Sequence, residues 1–146
     1  MKFILSFIGV ICLTGCATSY STGSPRDGKP GVVYQLNEAQ ALSFIAVNMA
    51  ISFPSHRIKK IEGPVKGYQA RFRFLADTWD TSVLAVPVTG VTQNGRAVKG
   101  YRFDVNGSGT LIISGRGKTN NFRDRLISDL NQSGTGIPVV KAVPIM

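Results

Sequence analysis

Few residues in this chain have the type and spacing to do chemistry. Asp77 and Asp80, in the stretch ADTWDT, are its only close pair of acids. Two carboxylates flanking a bond can serve as acid and base toward a glycoside, and Trp79 between them could stack on a sugar. The competing reading is that aspartates three apart in an expected turn are turn formers. Trp79 has two readings as well, a plug in the core or an exposed anchor for a partner protein. His56 is the only histidine and stands beside Arg57 and Lys59. A serine–histidine–aspartate set would have to use it, yet no nucleophile elbow occurs, and it reads as a surface residue. With a single histidine, no metal cluster with histidine spacing can form. Gly117-Lys118-Thr119 matches the end of a phosphate-binding loop, but the first required glycine falls on Ile112. That leaves Arg116, Lys118 and Thr119 as a weak anion site between a strand and a helix, against an ordinary glycine-rich turn. Neither an enzyme nor a cofactor or metal is expected.

The N-terminus is more specific. Lys2 carries one charge, FILSFIGVIC (3–12) is a short apolar run, and small residues lead to Cys16. This is the layout of an export signal, and the run is far shorter than the ~20 residues a membrane-spanning helix needs. LTGC (13–16) resembles the lipobox of bacterial lipoproteins. The resemblance implies that Cys16 is acylated, that residues 1–15 are removed as a signal peptide, and that Cys16 becomes the first residue. Two or more acyl chains anchor stably where one does not. By the same resemblance Ala17, which stands where an aspartate would retain the protein at the inner membrane, implies the outer membrane, facing the periplasm.

The remainder is expected to divide into a lipidated cysteine with a flexible tether (16–31, rich in Gly, Pro and Ser) and one globular domain (32–146). Losing Lys2 lowers the net charge from +9 to +8. The excess of cations favours acidic partners such as lipid head groups or an anionic envelope polymer, peptidoglycan or lipopolysaccharide. Nucleic acid fits poorly, because the aromatic residues alternate onto the face expected to be buried.

The elements that must position these residues follow from periodicity. A helix is expected over 37–54, with Asn37 as N-cap, Gln40 in the capping-box position and Pro54 as its stop. YQARFRFL (68–75) alternates, with Phe72 on one face and Arg71 and Arg73 on the other. TSVLAVPV (81–88) reads as a strand whose Pro87 argues for an edge or a bulge. Asn94-Gly95 marks a hairpin. GYRFDV (100–105) places Phe103 inward and Arg102 outward, NGSG (106–109) reads as a turn, and TLIIS (110–114) as a strand. HRIKKIEG (56–63) is a candidate short strand, 120–132 a second helix, and IPVVKAVPI an added edge strand. The expected fold is α+β, a two-layer domain with a meander sheet of four or five antiparallel strands and two helices. The uncovered face would carry Arg71, Arg73 and Arg102. The expectation is a non-catalytic accessory lipoprotein that binds a protein partner in an envelope assembly or secretion system. Its alternatives are binding of an anionic polymer through the basic face and, remotely, hydrolysis by Asp77 and Asp80.

Overall fold

The computed structural model describes residues 16–74, 77–110 and 112–145. The expected signal peptide, 1–15, lies outside the described residues. In chain order the elements are β1 (Cys16–Ser21), β2 (Gly31–Tyr34), α1 (Glu38–Ser52), β3 (Arg57–Ile61), β4 (Lys66–Phe74), β5 (Asp77–Val91), β6 (Ala97–Gly109), α2 (Ile112–Gln132), β7 (Gly136–Val139) and β8 (Lys141–Pro144). Among the described residues the α+β class holds, with two helices, but the antiparallel sheet has eight strands where four or five were expected.

The sheet is organised around one long hairpin. β5 and β6 pair from Trp79–Gly109 to Val91–Ala97, joined by the Asn94-Gly95 turn, where Gly95 takes the positive φ of 84° that such turns require. Two strands share the outer edge of β5: β4 pairs with 77–85 and β8 with 88–91. Pro87 falls in the break between them, so β5 is interior despite its proline. On β6, β1 pairs with 104–109 and β2 meets Tyr101. β2 then pairs with β7, which leads directly into β8 and back to β5. At this end the sheet closes on itself around a small core of Val33, Val86, Val88 and Val139.

The larger core lies between the sheet and the two helices. Phe72, Trp79, Val83, Phe103 and Val105 of the sheet meet Ile45, Met49 and Phe53 at α1 and Phe122, Leu126 and Leu130 of α2. Removing each such side chain from water contributes about 1.5–3 kcal/mol. α1 forms where local signals place it: Asn37 accepts from the Gln40 backbone at 2.8 Å, and Gln40 returns the bond to the Asn37 backbone at 2.9 Å.

Elsewhere tertiary pairing overrides the local reading. Residues 16–21, expected within a tether, are a strand in register with β6, and Arg26 and Lys29 bridge the loop that follows. NGSG (106–109) is no turn but the end of β6, held on both sides by β1 and β5. The strand expected over 110–114 gives way to helix, because α2 starts at Ile112 and not at about 120. Its first turns contain Gly115 and Gly117, poor helix formers. The helix survives there because Gly115 lies flat on the Trp79 indole, where a Cβ would come within 2.3 Å of the ring.

Candidate functional site

Cys16, the residue of the lipobox resemblance, opens β1 opposite Gly109. The same cross-strand row continues through Trp79 of β5 to Phe72 of β4. The expected lipid attachment point therefore sits in the sheet, with no spacer between it and the domain.

The expected anion ligands divide into two groups. Arg71 and Arg73 are exposed on the face that the helices leave uncovered. Arg71 lies opposite Arg57 of β3, a like-charge contact that Asp80 relieves from the other side. Arg71 donates from Nε and Nη2 to the two Asp80 oxygens at 2.6 and 3.1 Å. Arg116 is exposed and Lys118 half-buried in the first turns of α2, and the Lys118 ammonium lies 5.0 Å from the centre of the Phe72 ring.

Arg102, Thr119 and Trp79 depart from their expected roles. Arg102 occupies the same sheet face but is folded down, donating to Asp104 at 3.2 Å and to the Ala142 carbonyl at 3.5 Å. The closing β7–β8 segment covers it, which no strand alternation could reveal. Thr119 is buried, and its hydroxyl accepts from Trp79 Nε1 at 2.9 Å and lies 2.7 Å from Thr81 Oγ1. It cannot reach a surface anion. Trp79 is fully buried, so of its two readings the structure supports the core plug.

Asp77 and Asp80 belong to β5 and not to a turn. Three apart on a strand, they hold register positions of opposite parity, and the Asp80 carboxylate is engaged by Arg71. His56 is half-buried rather than superficial, its ring edge-on to Phe53 and Phe72 at 5.6 and 5.1 Å. Burial and then the nearby Lys118 charge hold its pKa below the ordinary 6.5. Among the described residues no group of three or more His, Cys, Asp or Glu could hold a metal ion. None of their helices is long and apolar enough to cross a membrane.

A cleft of about 500 Å³ was missed in the sequence. It opens between the β1–β2 connection and α2, and Tyr20, Arg26, Lys29, Tyr34, Arg123 and Asn131 line it. The Arg26 and Arg123 guanidinium carbons lie 5.2 and 5.4 Å from the Tyr20 ring centre. Tyr34 donates its hydroxyl to Asn131 Oδ1 at 2.8 Å, and burial pushes its pKa up to about 12. Arg123 also pairs with Asp124 at 2.9 Å, and Arg26 with Asp27 at 3.7 Å. Both guanidinium groups thus lie against one aromatic ring, each with an aspartate as its ion-pair partner. The only sequence signal was Tyr20 and Arg26 within the stretch read as a tether.

No family model, curated protein or solved structure matches this chain.

Proposed function

We propose that this chain is a non-catalytic lipoprotein of the bacterial cell envelope, anchored by acyl chains on Cys16 and binding a protein partner of an envelope assembly or secretion system. The observation that carries the reading is LTGC, whose cysteine is also the first residue of β1. A signal cut before Cys16 leaves every described strand and helix intact. Ala17 in place of aspartate directs the protein to the outer membrane, with the domain in the periplasm. The Tyr20 cleft, beside the strand that Cys16 opens, is the surface offered to the partner.

Two measurements test this reading. Radiolabelled palmitate should enter the protein and not its Cys16→Ser variant, which should leave the membrane fraction; label without Cys16, or unchanged fractionation, overturns the anchor. A photo-crosslinker at Lys29, on the cleft rim, should capture one envelope protein, while one at Lys99 captures none. Equal capture from both positions removes the cleft from the proposal.

A second reading, binding of an anionic polymer, is favoured by the exposure of Arg57, Arg71 and Arg73 on the uncovered face. It requires salt-sensitive co-pelleting with isolated sacculi, lost when those three arginines become serine.

A further inference from the structure

The geometry points to the Cys16 end of the sheet as a docking surface for anionic lipid head groups. This rests on the lipid anchor proposed above and concerns what the anchor brings within reach. β1 begins, β6 ends and α2 begins at this end, where β4 also ends and β5 begins.

Cys16, Gly109, Trp79 and Phe72 form one row across four strands. At ~4.8 Å per strand, the row from Cys16 to β4 is roughly 14 Å long. Arg73 and Arg71 stand one residue to either side of Phe72, so they differ from the Cys16 row by about 3.3 Å in height. Arg57 pairs with Arg71 in the neighbouring strand. Arg116 and Lys118 lie four and six residues into α2, about 6 and 9 Å from its start.

Against these five cations the same end holds two acids, Asp77 and Asp80. The other six acidic residues lie further along the elements or in the loops beyond them: Asp27, Glu38, Glu62, Asp104, Asp124 and Asp129. This end therefore carries a net charge of +3 beside the anchor, while the eleven cations and six acids of the rest of the domain are spread over its other surfaces. A bilayer reached through a cysteine with no spacer is held beside this end of the sheet, and charges there act over a Debye length of ~8–10 Å. Head groups are favoured over a polymer because the anchor supplies them intramolecularly, at high effective concentration. Each cation at an anionic surface is worth about 1 kcal/mol, or about fivefold in residence there.

The test uses the protein purified with its anchor and reconstituted in vesicles of phosphatidylcholine alone or with about a third phosphatidylglycerol. Flotation with the neutral vesicles reads the anchor, so its failure is separate from failure of the docking surface. Amide exchange around Arg73 and Arg116 should be slowed about fivefold or more by phosphatidylglycerol, and high salt should abolish the difference. Arg73→Glu with Arg116→Glu should also abolish it, while Arg96→Glu with Lys99→Glu, an equal charge change at the far hairpin, should not. Thermal unfolding of both variants reports whether each is folded, and the salt arm needs no variant. Equal exchange on both vesicles overturns the proposal. So does protection by isolated sacculi without protection by vesicles, which assigns the cations to a polymer.

Discussion

The indole N–H of Trp79 donates to the hydroxyl of Thr119 at 2.9 Å in the interior of the domain. That hydroxyl has a complete set of partners. It accepts from Trp79, donates to the Gly115 carbonyl at 3.1 Å, and has room to accept from Thr81 at 2.7 Å. The network ties α2 to the central strand. Thr119→Val keeps the shape and leaves the indole N–H and the Thr81 hydroxyl without this partner. Urea unfolding should show a loss of about 1–3 kcal/mol, most of it recovered in Thr119→Ser.

Gly115 and Gly117 should respond oppositely to alanine. A Cβ at Gly115 meets the Trp79 ring, whereas at Gly117 nothing lies within 4 Å. Gly115→Ala should cost about 1–3 kcal/mol through overpacking. Gly117→Ala should raise stability by up to about 1 kcal/mol, because a helix interior favours alanine. Thermal melts of the two variants side by side check the pair.

Loss of the α1 cap is the third expectation. Asn37→Ala removes the side-chain oxygen that accepts from the Gln40 N–H, the N-cap bond of a complete capping box, and should lower stability by about 1 kcal/mol. Gln40→Ala, which removes only the returning bond, should cost less in the same denaturant titration.

The fourth concerns acid. The folded pKa of His56 is depressed below 6.5 by burial and Lys118, so the unfolded chain binds the proton more readily. The stability linked to this group is fully present above its ordinary pKa of ~6.5. It is lost as pH falls from there through the folded value. His56→Gln should flatten the stability profile across that window, and Lys118→Met should shrink the dependence without abolishing it.

Much of the architecture was legible because its signals are local. Asn37, Gln40 and Pro54 bracket α1 within a few residues, and alternation marked β4 along with the faces of Arg71 and Phe72. The Asn94-Gly95 turn placed the central hairpin. The site was less legible. Arg71 and Arg73 stand where alternation put them, but Arg102 has the same parity and is covered by residues from the far end of the chain. Thr119 looked like part of a glycine-rich loop, since Gly115 and Gly117 weaken any local preference for a helix.

By itself the sequence determined the lipobox resemblance, the excess of cations, the helix with its own cap, and the strands whose side chains alternate. Only the tertiary structure decided that residues 16–21 pair with β6, that the sheet closes through β7 and β8, and that α2 begins against Trp79. The physical reason is that caps and alternation act between neighbours along the chain. Strand pairing and close helix–sheet contact depend instead on which distant backbone supplies the hydrogen bonds and which side chains leave space. Cys16 acquires its place in the sheet from Gly109, its strand partner but far along the chain from it.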